Sequence, residues 1–518
     1  MKERRSIIKN TMKMGIGTAL SRAFGLVRDI LLARFLGAGA TADAFNIAYN
    51  MPNTLRKIFA EGALNNAVSP TVVTILKKES VQKVNELITI VFISIQAFLL
   101  LMCTAMSLGA RQIVFLQAPG FAESTQCCAA QLASIMIFFI MFLSGLSLLT
   151  GALVAMQKFF MPSYGQALMN ILFIIELAAC IYFNLSISTC AFLILLNGLL
   201  VFLAHFAAYR KAGLSWAWPT RETRENFVIV MKKFLPCIVT VGSAEVAFFI
   251  DKMMASYLPA GSISLFQYAS NFLRVPIGIF AVAFATILLP SMSHLALKGR
   301  ARLSFFLFEA LKLMAWITIP TTFLMFAFSQ KIFSTFYLSA KFPMESVIIA
   351  GNILGTFSLA LFFFSINKIL VNVFNSMHDT VQPTIITLGC TVFNTALNAV
   401  LMRSYGILGI TIATTIATIL QTIILLIVLS RKHRVVVYFK QFGMFLLKTF
   451  AHVIFFGILL YLTYHMTAWA IYHLPSTWSY QLLEKELYWL WVGPLCLLYG
   501  LLMYMTRKKF GIRVYFLD

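Results

Sequence analysis

A chain of 518 residues that is 60% hydrophobic and only 11% charged carries too much apolar surface for a water-soluble fold, which holds about 45–50% apolar and about 25% charged residues. Its formal net charge of +23 would suggest nucleic acid in a soluble protein, but the Lys and Arg residues sit in short loops between apolar runs, where they mark the cytoplasmic side of a membrane. Composition therefore excludes a nucleic-acid binder and requires lipid as solvent. There the backbone must satisfy its own polar groups, and long apolar runs without strict alternation select helices over a barrel.

In chain order the pattern predicts an all-α polytopic membrane protein of about fourteen spans, near 10–36, 42–75, 85–108, 127–156, 163–183, 187–209, 228–257, 263–295, 305–328, 345–376, 383–402, 407–430, 444–466 and 487–506. The basic start runs into Arg22, Arg28 and Asp29, which does not read as a cleavable signal peptide. Basic residues gather at alternate span ends, around 2–9, 77–83, 158, 210–233, 298–302, 431–440 and 507–509; the opposite ends hold Arg111, Lys331, Lys341, Arg403 and Lys485. That asymmetry predicts an even number of spans with both termini in the cytoplasm.

The first span carries Arg22, Arg28 and Asp29, each costing about 2.5–3.5 kcal/mol at a helix centre if it faced lipid. Such residues face a bundle interior or a wet cavity. Arg22 and Asp29 share a helix face, and Arg28 points about 100° away from Asp29. The second span adds Asp43, Asn50, Asn53, Arg56, Lys57, Glu61, Asn65 and Asn66, with Lys57 and Glu61 spaced to pair and with Pro52 and Gly62 placed to bend the helix. Either these charges neutralise one another at a helix contact, or the excess arginine lines a cationic cavity for an anionic substrate. Glu176, Lys312 and Lys368 read as packing or snorkelling charges, His205, His452 and His465 as isolated histidines, and the eight cysteines as buried hydrophobes without metal or disulfide spacing.

The chain also repeats weakly. Asp29–Gly39 parallels Asp251–Gly261 at an offset of 222, and Met156–Pro162 parallels Met377–Pro383 at 221. Six spans separate the copies, so they point the same way across the membrane. This predicts an N-terminal six-helix lobe over 1–211, a parallel C-terminal lobe over 226–432 and two further spans over 440–518, with a substrate site between lobes. The second copy carries Glu245, Asp251, Lys252 and Arg274. Asn375 and Asp379 share a helix side before Pro383, and Thr391 and Thr395 offer hydroxyls beyond it. With Asp251 these are hard oxygens suited to a small cation, unless Asp379 simply caps a turn.

The stretches SRAFGLVRDILLARFLGAGATADAF (21–45), MPNTLRKIFAEGAL (51–64), ATILLPSMS (285–293) and HDTVQPT (378–384) resemble the MurJ (MviN) family of the multidrug/oligosaccharidyl-lipid/polysaccharide exporter superfamily. The resemblance implies a flippase, not an enzyme, that moves lipid II, the polyprenyl-diphosphate-linked peptidoglycan precursor, to the outer leaflet by alternating access. It implies substrate contacts from Arg22, Arg28 and Arg56 with Asp43 and Glu61, a coupling sodium ion at Asp251, Asn375, Asp379 and Thr395, and no other cofactor. It also implies a bacterial cytoplasmic (inner) membrane location, with cell-wall synthesis or division proteins as partners. One departure stands out: where the family has an arginine after a Tyr-Ala-Asp run, this chain has Asn271 after Tyr268-Ala-Ser, and Arg274 falls one turn later. The residues alone leave three alternatives open. These are an exporter of drugs or of another polyprenyl-linked glycan, a membrane-embedded transferase or phosphatase, and a scaffold. No Asp-x-Asp or Ser/His/Asp set supports the enzyme, and buried arginines would burden the scaffold.

Overall fold

The computed structural model describes the backbone of residues 2–518 apart from 283, 285–287, 289–291, 293–294, 296–298, 378 and 437; the side chains of 2–16, 60–63, 65–67 and 235–237, among others, also lie outside the described residues. Two compact units emerge, Met1–Ser264 and Leu265–Asp518. This division falls later than the repeat boundary expected at 211–226, because the helix Arg221–Ala255 packs on elements of the first unit.

The first unit runs through α1 (Lys2–Leu36), α2 (Ala40–Leu55), a π-helical segment (Arg56–Leu64), α3 (Asn65–Lys78), α4 (Val81–Leu108), α5 (Ala110–Gln117), α6 (Glu123–Met136), α7 (Phe139–Ala155), α8 (Phe160–Tyr182), α9 (Ile187–Lys211) and α10 (Arg221–Ala255). Here α1 lies along α8, α2 against α6, α7 against α9, and α10 against the π segment. Ser80 and Ser186 cap α4 and α9 by accepting from the N–H three residues on. The linker after α9 is held down. Buried Glu86 accepts from Thr220 N (3.2 Å) and from the Thr220 and Thr223 hydroxyls, Asn85 from Ser215 N (3.1 Å), and Thr89 Oγ1 from Ala217 N (3.0 Å).

The helix α11 (Ser262–Pro276) crosses into the second unit and continues as a π segment (Ile277–Val282). Then follow α12 (Arg300–Ala327), α13 (Ser329–Phe336), α14 (Met344–Ser376), α15 (Val381–Tyr405), α16 (Ile407–His433), α17 (Phe439–Tyr472), α18 (Ser476–Glu484), a 3-10 turn and α19 (Trp489–Thr506). Met314 on α12, Ile369 and Val373 on α14, Leu425 and Leu429 on α16, and Phe456 on α17 share one buried apolar core.

The weak sequence repeat is strong in the elements. α2 and α11 start 222 residues apart, and their π segments start 221 apart, at Arg56 and Ile277. α4 and α5 recur as α12 and α13 at an offset of 219, and α6 with α7 spans the range that recurs unbroken as α14 at 221. α8 and α15 start 221 apart, α9 and α16 220 apart. Each π segment follows a proline closely (Pro52 and Pro276), whose missing N–H breaks the i→i−4 ladder.

Ten helices are long and apolar enough to cross a membrane among the described residues. They match the expected spans three to six and nine to fourteen. The four outside this set are spans one, two, seven and eight, two equivalent pairs in the repeat, and they carry most of the intramembrane charges; Glu176, Glu309, Lys312 and Lys368 stand on the others. On the apolar spans, outward residues such as Leu101, Val392, Leu447 and Leu497 are exposed, as lipid-facing side chains are.

Candidate functional site

The candidate head-group residues of the first unit lie on α1, α2 and the π segment that extends α2. Arg28 donates from Nε and Nη2 to Asp29 Oδ1 at 3.1 and 2.8 Å, and from Nη1 to Asn170 Oδ1 on α8 at 3.0 Å. Its guanidinium lies 5.6 Å from the centre of the Phe173 ring. Asn170 in turn donates to the Ser21 carbonyl at 2.8 Å, so α8 holds α1 at two points. The helical wheel separates Arg28 from Asp29 by about 100°, and the length of the arginine side chain closes that gap. Arg28 is therefore neutralised by a local acid. Arg22 on α1 and Arg56 at the start of the π segment are partly buried.

Lys57 pairs with Glu245 on α10 at 2.7 Å, an acid far away in sequence. The side chain of Glu61, its expected partner, lies outside the described residues, as do those of Asn65 and Asn66. Arg56, Lys57 and Glu245 thus belong to one neighbourhood where α10 packs against the π segment.

Asp43 does something the sequence did not suggest. It is 2% exposed and sits at the start of α11: Oδ2 accepts from Gly261 N at 2.7 Å, and Oδ1 from Ser264 N at 2.7 Å and from the Ser264 hydroxyl. Asn46, one turn on, donates to Ser264 Oγ at 3.3 Å. A carboxylate from α2 thereby caps the free N–H groups of another helix.

In the second unit, Asn271 accepts from Gln267 on α11 at 2.8 Å, and Arg274 stands partly exposed one turn later. The four residues expected to hold sodium do not form one site. Thr395 lies about 21 Å along α15 from its first residue, at about 1.5 Å per residue, whereas Asp379 precedes that residue. Oxygen ligands of one hard cation stand only about 2.3–2.6 Å from it. The Thr395 hydroxyl bonds its own helix, at the Thr391 carbonyl (2.9 Å). Asp379 accepts from Gln382 N at 3.2 Å, Lys432 Nζ at 3.1 Å and His433 Nε2 at 2.8 Å. It is a capping residue with two basic partners. Burial pushes its carboxyl up, but the Gln382 N–H, Lys432 and His433 outweigh that and hold it below the usual carboxylate range. Asn375 is exposed at the end of α14, and Asp251 is buried near the end of α10, in the first unit. No group of three or more His, Cys, Asp or Glu suited to a metal occurs among the described residues.

Sequence reasoning passed over an uncharged polar row in the second unit because it weighed charge first. Asn367 donates to the Thr418 carbonyl and to Gln421 Oε1, both at 3.3 Å, and accepts from Thr422 at 2.8 Å, while Gln421 reaches Thr387 at 2.9 Å. The threonine-rich run of α16 is the signal that could have revealed it.

The second unit also holds an apolar groove of about 440 Å³. It is lined by α12 (Phe323, Phe326), α14 (Phe362, Phe363) and α17 (Phe450, Ile454).

Comparison with known proteins gives a consistent result. The family model described as lipid II flippase MurJ matches residues 32–479. A probable lipid II flippase MurJ of Buchnera aphidicola subsp. Schizaphis graminum is 30% identical over 386 residues, 73% of this chain and 74% of that protein. The lipid II flippase MurJ of Burkholderia cenocepacia is 28% identical over 410 residues, 76% of this chain and 78% of that protein. A solved lipid II flippase MurJ in an inward closed conformation superposes with a TM-score of 0.78 at 25% identity, covering 96% of this chain and 99% of that one. An inward-facing multidrug MATE transporter shares the fold at a TM-score of 0.67 and 16% identity, over 81% of this chain and 96% of its own.

Proposed function

The chain belongs to the lipid II flippase MurJ family, and from that premise we propose that it carries lipid II from the cytoplasmic to the outer leaflet of a bacterial cytoplasmic membrane by alternating access. No bond is made or broken. The observation that carries the reading is the concentration of intramembrane arginine on spans one, two and eight, which lie outside the ten long apolar helices found among the described residues. Spans one and two supply Arg22, Arg28 and Arg56, guanidinium groups that replace water around a diphosphate and peptide carboxylates. Asp29 serves as the resting partner of Arg28, keeping the guanidinium neutralised until a phosphate oxygen takes its place. The polyprenyl chain stays in lipid and seats in the groove between α12, α14 and α17.

With both termini cytoplasmic, an inside-negative potential contributes about 2.3 kcal/mol per charge per 100 mV toward moving the anionic head group outward. The same potential opposes return of an empty cationic site, and coupling to an inward cation would reset it. The multidrug fold likeness favours a second reading, drug export, but a surplus of arginine suits an anion rather than a cationic drug. Depletion in cells separates the two: lipid II accumulates facing the cytoplasm if the chain is its flippase. Unchanged lipid II orientation with raised drug sensitivity favours the exporter.

A further inference from the structure

The segment Arg507–Asp518 folds back on the second unit through contacts that head-group transport does not require. Arg507 is only 5% exposed. Its Nη1 donates to the Tyr504 carbonyl at 3.0 Å, its Nη2 to the Leu517 carbonyl at 2.8 Å and to Asp518 Oδ1 at 3.0 Å, and its guanidinium stands 4.2 Å from the Tyr504 ring centre. Lys508 Nζ reaches the same Asp518 oxygen at 3.1 Å, and Val514 N donates to Oδ2 at 3.0 Å. Ile512 and Val514 are fully buried, and Phe516 meets Phe306 of α12 edge-on at 5.3 Å.

The closed segment is then stitched to two membrane helices. Tyr515 N donates to Glu309 Oε2 on α12 at 2.9 Å. Glu309 is buried and also takes Lys312 Nζ at 2.8 Å; Lys312 in turn lies over Phe445 of α17, 5.5 Å from the ring centre. These contacts stand at one end of the apolar groove. Its lining starts two turns beyond Lys312 on α12, at Ile319, and next to Phe445 on α17, at Leu446. Helices in lipid lack a hydrophobic force to hold them together, so their spacing depends on packing and polar bonds. The groove walls are apolar except for Thr322, whose hydroxyl bonds the Ser358 carbonyl of α14 at 3.1 Å, so between α12 and α17 the walls offer packing alone and the charged contacts lie in the clasp.

We propose that the clasp formed by Arg507, Asp518, Glu309 and Lys312 positions α12 against α17 at the width at which the groove seats a polyprenyl chain. The proposal rests on the reading of the groove as the seat of that chain. Glu309 and Asp518 are positioning residues: they act on the substrate through helix spacing and touch neither head group nor chain.

The test uses the full-length protein in proteoliposomes with two lipid II analogues, one bearing the long polyprenyl chain and one a short prenyl chain. Spin labels at the exposed positions Phe305 and Leu447 report the spacing of α12 and α17. In Glu309→Gln and Asp518→Asn we expect a broadened label distance and a loss of long-chain transport of about tenfold, the effect of about 1.4 kcal/mol. Short-chain transport stays within about twofold of wild type, and Glu309→Asp, which keeps the charge, restores long-chain transport. An equal fall for both chain lengths, or an unchanged label distance, overturns the proposal. A groove-filling Val453→Trp variant tests the underlying reading separately. If it spares long-chain transport, the groove is not the seat and both readings fall. If it blocks long-chain transport while Glu309→Gln and Asp518→Asn do not, the clasp alone is refuted.

Discussion

Asp43 carries two demands at once, a buried acid in the first turn of α2 and a cap for a helix to which it does not belong. The backbone N–H groups of Gly261 and Ser264 would otherwise be buried without acceptors. Asp43→Ala should therefore lower thermal stability by about 0.5–2 kcal/mol, the usual cost of a lost cap, while Asp43→Asn, which keeps one acceptor oxygen, should lose less. Thermal unfolding of the purified variants decides this. Asp379 offers a pH test. Its folded carboxyl lies below the usual range, so its stabilising contribution is present above the unfolded carboxylate value and lost as pH falls through the folded one. Asp379→Asn should flatten stability against pH in that acid window, and an unchanged profile would refute the assignment. The sequence suggested the capping role of Asp379, but Lys432 and His433 lie too far along the chain for any local pattern to show. The Arg28–Asp29 pair was equally hidden, since a wheel places side-chain roots and not the reach of a guanidinium.

Span positions were legible because length and apolarity are local quantities, and the described helices follow the expected ranges closely for spans three to six and nine to fourteen. Breaks within spans were less legible. The expected second span is α2, a π segment and α3, and the fourth is α6 and α7 with a turn between them; only Pro52 and Gly62 hinted at the first break. The repeat gives a matched test at the start of α2 and α11. Gly261 has φ +97°, and a Cβ there would stand 2.8 Å from the Ala38 carbonyl oxygen. Its repeat partner Gly39 has φ −159° with nothing within 4 Å. Gly261→Ala should lower stability by about 1–3 kcal/mol through backbone strain, and Gly39→Ala should leave it nearly unchanged, both read by thermal unfolding. Equal effects would show that the two turns differ less than their backbones imply.

Across the whole molecule the membrane class was readable from the excess of apolar residues, and the transporter reading from arginine concentrated on a few spans. The expected cation site was not, because Thr395 lies about 21 Å along α15 from the end that Asp379 precedes. Arg28 and Arg56 remain the residues on which head-group transport depends most in this account. Full-length protein reconstituted in liposomes with lipid II, scored by the fraction of lipid II that crosses the bilayer, tests that directly. The expected result is movement in wild type and a fall of about tenfold or more in Arg28→Ala and Arg56→Ala, in line with a lost charge-assisted phosphate contact. Lipid II that fails to cross with wild-type protein, or that crosses equally fast with both alanine variants, would contradict it.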